Sequence, residues 1–257
     1  MTDNKVWDFR NNSKLKLYLK YMGYNTMIKN LLISLLLLIQ PSDRQTTEIS
    51  NNTSEFEDEI YPLAPKGLKQ SYRSSVVVFS TKGEEILGSG SGNYFRYKNK
   101  NFIVTAAHVI DGEGTIYIGE KNIDVVKATT VYIDEEKDIA IIQPNEKLKS
   151  TKAIRFKPSK KTYIGEPTYH TGHPDGESWH LSDGLVSKIG SDFSILNTFA
   201  WPGSSGSVVF NKAGDAIGII SAIKISSPMG FPDMIEHIVI ISNIGNLNIE
   251  EILPDLN

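Results

Sequence analysis

The chain has 257 residues, no cysteine, and a formal net charge of −3 from 27 basic and 30 acidic side chains. Without cysteine it has no disulfide framework, thiolate nucleophile, iron–sulfur cluster or cysteine-ligated zinc site, so its core depends on apolar packing. The near-neutral charge argues against a general nucleic-acid-binding protein, and the sequence has no visible repeat at a period of about 20–50 residues.

The first 40 residues are basic and then strongly apolar. Basic residues outnumber acidic ones over residues 1–30, and the run Leu31–Ile39 follows them. This pattern is typical of a secretory signal peptide, because the apolar run is shorter than the roughly 20 residues of a full membrane span. An uncleaved signal anchor remains open. We expect export to the periplasm or the cell exterior, or a membrane tether through residues 27–40. A short buried helix is the alternative, and Met27 is a second candidate start of translation.

Residues 41–70 are predicted to be a disordered linker. They are rich in serine, threonine and asparagine, carry an acidic cluster over residues 55–59, and contain few large apolar residues. The globular domain is therefore expected to span residues 71–257.

Short strands separated by turn residues follow in this domain. Their spacing of about 8–12 residues, without amphipathic helices between them, indicates an all-β barrel or sandwich. One helix is predicted over Asn243–Leu253, with Asn243 or Asn246 as its cap. The predicted strands are 75–80, 85–87 leading into a glycine-rich stretch, 93–97, 102–105, 115–118, 123–133, 139–143, 167–171, 184–189, 193–196, 208–211, 216–225 and 235–242.

Three local features could carry chemistry. His108 follows small residues at the end of an apolar strand, Asp138 opens another apolar strand, and Ser205 lies between Gly203 and Gly206. Each feature alone also has a structural interpretation: a core histidine, a turn aspartate and a serine–glycine hairpin loop. Together they occur in the order His, Asp, Ser, which is the order used by the triad of paired β-barrels.

With these residues in place, the sequence resembles the chymotrypsin-fold (trypsin-like) serine peptidases, in particular the cysteine-free bacterial Do/HtrA-like and glutamyl-endopeptidase-like branch. The resemblance extends over about residues 72–245 and implies two packed antiparallel six-stranded β-barrels with a short C-terminal helix. It also implies a serine endopeptidase that acts through an acyl-enzyme intermediate and needs no cofactor. Seven motifs in the order of the family carry it: Gly88–Gly92, Thr105–His108, Asp138–Ala140, Thr171–Pro174, Asp183–Ser187, Gly203–Ser207 and Ile217–Ile219.

The resemblance implies a role for each matching residue. Ser205 would be the nucleophile, His108 the general base and later the general acid, and Asp138 the carboxylate that orients the imidazole. The backbone N–H groups of Gly203 and Ser205 would form the oxyanion hole. The expected partner is a protein or peptide substrate, not a nucleic acid, and the resemblance implies no oligomeric state.

Departures from the family pattern narrow the expected specificity. Ser204 stands where members activated by cleavage carry aspartate, so activation through a salt bridge to a new N-terminus is not expected. The strand after the nucleophile has no histidine, which argues against preference for glutamate or glutamine. We expect a preference for small or medium apolar residues before the scissile bond. We also expect no peptide-binding PDZ domain to follow the catalytic domain. The predicted pocket residues are Phe199, Ala200, Trp201, Ser221, Ala222 and Ile223.

Other interpretations remain open at this point. His170, His173 and His180 could form a metal site with Asp175 or Glu177, but this stretch matches the turn of the family, so we expect no metal. The domain could be a catalytically silent binding module with the same fold. It could also be a processing protease of a virus or phage.

Overall fold

The computed structural model describes residues 60–83, 85–110, 112, 114–121, 124–226 and 233–253. The predicted signal segment and the linker up to residue 59 lie outside these described residues. Within the described part of the chain, no helix is both long enough and apolar enough to cross a membrane.

The first barrel contains six antiparallel strands and closes where β1 pairs with β2. A seventh, two-residue strand that the sequence did not predict adds to β2 in parallel. The barrel interior is filled by branched and aromatic side chains, among them the fully buried Val78, Phe102 and Ile141. The strands are β1 (Ser75–Lys82), β2 (Glu85–Tyr97), β3 (Lys100–Thr105), β4 (Thr115–Gly119), β5 (Val125–Asp134), β6 (Ile139–Pro144) and β7 (Ile154–Arg155).

The second barrel is also closed and has the strand order β10-β13-β12-β11-β8-β9. Its apolar cluster is smaller than that of the first barrel, with Leu196, Val209 and Ile241 fully buried. Two six-stranded antiparallel barrels confirm the predicted fold. The strands are β8 (Pro167–Gly172), β9 (His180–Lys188), β10 (Phe193–Thr198), β11 (Val208–Asn211), β12 (Ala216–Ser226) and β13 (Asp233–Asn243).

A helix that the sequence analysis did not predict, α1 (Lys66–Ser74), precedes β1 and includes residues assigned to the linker. Its buried face consists of Gly67, Ser71 and Ser74. A Cβ atom on Gly67 would lie 1.9 Å from the backbone oxygen of Asn211, so only glycine allows this close approach to β11. Because the inward face is made of small residues, α1 has no apolar stripe that a helical pattern could reveal.

The C-terminal helix is shorter than predicted. Strand β13 continues through Asn243, and α2 contains only Ile249–Ile252. Its cap is Asn248, whose side chain accepts a hydrogen bond from the Glu250 N–H at 3.1 Å. The predicted start at Asn243 and the predicted caps Asn243 and Asn246 are therefore wrong, because strand pairing with β12 and β10 takes precedence over local helical pattern.

Candidate active site

The first barrel brings His108 and Asp138 together. Thr105 at the end of β3 pairs with Ala140 in β6, and His108 lies in a short 3₁₀ turn that directly follows β3. The Nδ1 atom of His108 is 2.8 Å from Oδ2 and 3.0 Å from Oδ1 of Asp138. The backbone N–H of His108 donates to Oδ1 at 3.0 Å. Since an ionised carboxylate only accepts hydrogen bonds, Nδ1 carries the proton and Nε2 keeps its lone pair.

Asp138 is held in an unusual backbone conformation. Its φ is +54°, in the left-handed region that aspartate and asparagine tolerate better than other side chains. The side chain is 5 % exposed, whereas that of His108 is 17 % exposed. The carboxylate is therefore shielded from water while one edge of the imidazole reaches the surface.

Ser221 on β12 is a third partner of this carboxylate. Its hydroxyl donates a hydrogen bond to Oδ2 of Asp138. From the sequence, Ser221 is predicted only as part of the pocket wall. Its contact with Asp138, which crosses from the second barrel to the first, is not predicted. The sequence signal is a serine that follows an apolar run in this strand, and it does not identify the partner.

Ser205 lies in a tight loop between β10 and β11. The flanking Gly203 and Gly206 have φ values of +104° and +90°. A Cβ atom on Gly206 would lie 2.1 Å from the Ser91 backbone oxygen and 2.3 Å from Oγ1 of Thr105. Both the conformation and the close approach therefore require glycine at position 206.

The same loop leaves two backbone N–H groups unused. Among the described residues, the N–H groups of Gly203 and Ser205 donate to no other group of the protein. The carbonyl of Pro202 accepts from the Asp175 N–H at 2.8 Å, and the carbonyl of Ser204 accepts from the Ser207 N–H at 3.1 Å. In a trans peptide the carbonyl and the N–H point in opposite directions. The Gly203 N–H therefore points away from Asp175, which binds the Pro202 carbonyl, and the Ser205 N–H points away from the Ser207 N–H, which binds the Ser204 carbonyl.

Contacts with the first barrel place the Ser205 loop beside the His108 turn. The N–H of Ser91 on β2 donates to the Ser205 carbonyl at 2.7 Å. A Cβ atom on Gly206 would lie 3.1 Å from the backbone nitrogen of Ala106, two residues before His108. The structure thus packs the loop that carries Ser205 against the segment that carries His108, at the boundary between the barrels.

The predicted pocket residues other than Ser221, which is buried and bonded to Asp138, divide into two groups. Ala200 and Ile223 are buried in the core of the second barrel. Phe199, Trp201 and Ala222 are partly exposed.

Two histidines, His170 on β8 and His173 just after it, are buried. Burial lowers the pKa of His170 to about 4, with a smaller contribution from the positive charge of His180, while a hydrogen bond to the backbone of Phe199 opposes the shift. Burial also lowers the pKa of His173 to about 3, and the charge of Lys121 adds to the effect. Both rings are therefore neutral near pH 7.

Each of the three histidines considered as metal ligands has a different environment. The Nδ1 of His173 accepts from the Trp179 N–H at 3.1 Å, and its Nε2 is 3.1 Å from Oγ of Ser75. The ring of His180 instead packs against Phe199, with the centroids 5.4 Å apart. In the part of the chain that the structure describes, no group of three or more histidine, aspartate or glutamate side chains is arranged to hold a metal ion.

Comparison with known proteins gives one family match. The model of the trypsin-like peptidase domain matches residues 90–219, about half of the chain. This range includes the segments that carry His108, Asp138 and Ser205.

Curated relatives are serine proteases of the Do and HtrA type. The chain is 33 % identical over 165 residues to a Haemophilus influenzae protein described as a probable periplasmic serine protease do/HhoA-like, and covers 34 % of it with 59 % of its own length. It is 27 % identical over 201 residues to the serine protease Do-like HtrA of Bacillus subtilis, with coverage of 69 % of this chain and 44 % of the relative. The chain thus spans less than half the length of either relative.

Solved structures share the fold. The serine endoprotease from Yersinia pestis superposes with a TM-score of 0.57 at 21 % identity, covering 74 % of this chain and 66 % of that one. The HtrA-type protease AlgW with tripeptide also gives a TM-score of 0.57, at 22 % identity, covering 69 % of this chain and 58 % of its own.

Proposed function

Because this chain belongs to the trypsin-like peptidase family, we propose that it is a serine endopeptidase with Ser205 as nucleophile, His108 as general base and Asp138 as the orienting carboxylate. One observation carries the proposal. The Asp138 carboxylate holds His108 through Nδ1 at 2.8 Å, and the loop of Ser205 packs against the segment that leads into His108.

The proposed reaction follows from where the protons lie. The Nε2 lone pair of His108 accepts the proton of the Ser205 hydroxyl as Oγ bonds to the substrate carbonyl carbon. The oxygen of that carbonyl becomes negatively charged and accepts hydrogen bonds from the N–H groups of Gly203 and Ser205. His108 then gives its proton to the departing amine, and the C–N bond breaks to leave an acyl-enzyme.

Water completes the cycle by the same route in reverse. His108 removes a proton from water, the resulting hydroxide attacks the acyl carbon, and Ser205 leaves with the proton that His108 returns. The buried Asp138 carboxylate stabilises the imidazolium in both steps. Ser221, which donates to the same carboxylate, keeps that acceptor oriented.

An active-site probe tests the nucleophile. We expect the full chain to be labelled by a fluorophosphonate, with the mass increase located on Ser205, and we expect Ser205→Ala to abolish both labelling and peptide hydrolysis. Ser187→Ala is a matched control, since Ser187 is an exposed serine on β9, and it should be labelled as the wild type is. Labelling that persists in Ser205→Ala would exclude the assignment. An unreactive wild type would favour a catalytically silent binding module.

We propose that the chain acts outside the cytoplasm, by export or by membrane anchoring through residues 27–40. The proposal rests on the basic and apolar N-terminal sequence and on the relative described as periplasmic. The same probe provides the readout: after cell fractionation, the labelled protein should appear in the exported or membrane fraction, and a purely cytosolic label would contradict the proposal.

The pocket is proposed to accept small or medium apolar side chains before the scissile bond. Its partly exposed members Phe199, Trp201 and Ala222 carry no charge, and β12 offers no histidine for an acidic side chain. A peptide library digested by the wild type should therefore show Ala, Val or Leu at this position. A dominant preference for Lys, Arg or Glu would overturn the pocket assignment.

A further inference from the structure

Ser91 on β2 makes four hydrogen bonds, two of them to the loop between β10 and β11 that carries Ser205, here called the nucleophile loop. Its hydroxyl donates to the Gly203 carbonyl at 2.7 Å and accepts from the His173 N–H at 3.1 Å. Its backbone N–H donates to the Ser205 carbonyl at 2.7 Å, and its carbonyl accepts from the Thr105 hydroxyl at 2.7 Å. Ser91 is fully buried, so water does not compete for these bonds.

The loop needs such anchoring because of its glycines. Gly203 has a positive φ and no side chain, so the peptides on either side of it rotate with little steric resistance. Rotation of the peptide that joins Pro202 to Gly203 would turn the Gly203 N–H away from the oxyanion that the proposed mechanism assigns to it and to the Ser205 N–H. Within the loop itself, the Ser204 N–H, which shares a peptide group with the Gly203 carbonyl, donates to the Trp201 carbonyl at 2.8 Å, and, among the described residues, no bond inside the loop holds the Pro202–Gly203 peptide.

External bonds supply this restraint. The Pro202 carbonyl is held by the Asp175 N–H, the Gly203 carbonyl by the Ser91 hydroxyl, and the Ser205 carbonyl by the Ser91 N–H. Because peptide groups are planar, the bond to the Pro202 carbonyl fixes the direction of the Gly203 N–H. The Ser91 hydroxyl fixes the next peptide, Gly203–Ser204, which links the Gly203 N–H to the peptide that carries the Ser205 N–H. Ser91 provides two of the three anchors, and only the bond to Gly203 depends on its side chain.

We propose that Ser91 is a positioning residue, whose hydroxyl keeps the Gly203 N–H aligned with the Ser205 N–H before substrate binds. The inference rests on the proposed function of the Ser205 loop. Ser91 touches no reacting atom. Its effect is expected on the step that develops the oxyanion, and not on the binding of the peptide.

The bond to His173 extends the same anchor. The hydroxyl of Ser91 receives the His173 N–H while it donates to Gly203, so one oxygen links β2, the turn after β8 and the nucleophile loop. In Ser91→Ala this oxygen is lost, and the Gly203 carbonyl and the His173 N–H are left without that partner. The two backbone bonds of residue 91 remain available, so the substitution isolates the hydroxyl.

The test measures kcat and KM separately on one peptide substrate. Loss of an oxyanion donor typically lowers kcat about 10²–10³-fold, so we expect misalignment in Ser91→Ala to lower kcat about 10–100-fold with KM changed less than about twofold. The rate of fluorophosphonate labelling should fall by a similar factor. Ser91→Cys retains a weak donor and should give an intermediate kcat. Ser89→Ala, an exposed serine two residues earlier on β2, is the matched control and should retain wild-type kcat.

A structural readout separates this inference from the proposed function. The amide resonances of Gly203 and Ser205 in isotope-labelled protein should shift or broaden in Ser91→Ala and remain unchanged in Ser89→Ala. If the wild type shows no turnover, the proposed function is wrong, but the amide resonances still show whether the Ser91 hydroxyl orders the Gly203 and Ser205 N–H groups. Wild-type kcat or unchanged resonances in Ser91→Ala, or a loss confined to KM, would overturn the inference. If the alanine variant does not fold, Ser91→Cys decides by the same measurements.

Discussion

Replacing Asp138 by asparagine is expected to lower kcat about 10⁴-fold near pH 7, with little change in KM. The carboxylate accepts from Nδ1 of His108, which keeps the lone pair on Nε2. An asparagine that turns its NH₂ group toward the ring would instead donate to Nδ1 and shift the ring proton to Nε2. The imidazole could then no longer accept the proton of Ser205, although every atom stayed near its original position.

Asparagine is the informative substitution because of the backbone at this position. With φ at +54°, alanine would add backbone strain to the loss of the carboxylate, whereas asparagine tolerates the left-handed region. Asp134→Asn is the matched control: it makes the same change on the same hairpin, where Asp134 pairs with Lys137 instead of the histidine. Steady-state kinetics should show a change below about twofold for this control. A similar loss in both variants, or full activity of Asp138→Asn, would contradict the assigned role.

Acid is expected to unfold the protein mainly through His170 and His173. In the unfolded chain each ring binds a proton below its ordinary pKa of 6.5, but the folded protein resists protonation until pH falls to about 4 or about 3. The unfolded state therefore binds more protons in this range, and the free energy of unfolding decreases as pH falls below 6.5. Each ring contributes about 1.4 kcal/mol per pH unit, or about 5 kcal/mol for both by about pH 4.5. A typical domain has only about 5–15 kcal/mol in total.

Urea unfolding between about pH 7 and pH 4.5 measures this effect. Carboxylates also titrate at the acidic end, so the informative quantity is the difference between wild type and variant. For His170→Gln, the free energy of unfolding relative to wild type should rise by about 1.4 kcal/mol for each pH unit below 6.5. His173→Asn should show the same slope. A constant offset between the curves would show that the buried rings do not control acid stability.

Much of the candidate site could be predicted from sequence because its parts are local. The glycines around Ser205, the small residues before His108 and the aspartate that opens β6 each reflect a backbone requirement within a few residues. The strand pattern likewise predicted most of the strands, and the family resemblance implied that they form two barrels. Each of these signals depends on residues that are neighbours in the chain, and none depends on a tertiary contact.

What sequence could not predict depends on contacts between distant segments. The Ser221–Asp138 bond joins residues 83 positions apart, and the Ser91–Gly203 bond joins residues 112 positions apart. Helix α1 was missed because its buried face of glycine and serine fits against β11 and β8 without an apolar pattern. The two-residue strand β7 is too short to show a period, and α2 is set by where pairing of β13 ends.

Because Gly206 has no side chain, the Ser91 carbonyl and the Thr105 hydroxyl of the first barrel pack directly against its backbone, and this contact couples the unfolding of the two barrels. The loop lies in the second barrel by sequence and hydrogen-bonds to both barrels, to Ile220 on β12 and to Ser91 on β2. Val208 and Phe210, just after the loop, pack with the core of the first barrel. Neither barrel can open without exposing polar and apolar groups of the other. The two halves should therefore unfold as one cooperative unit, and the active site should be lost at the same denaturant concentration as the fold itself.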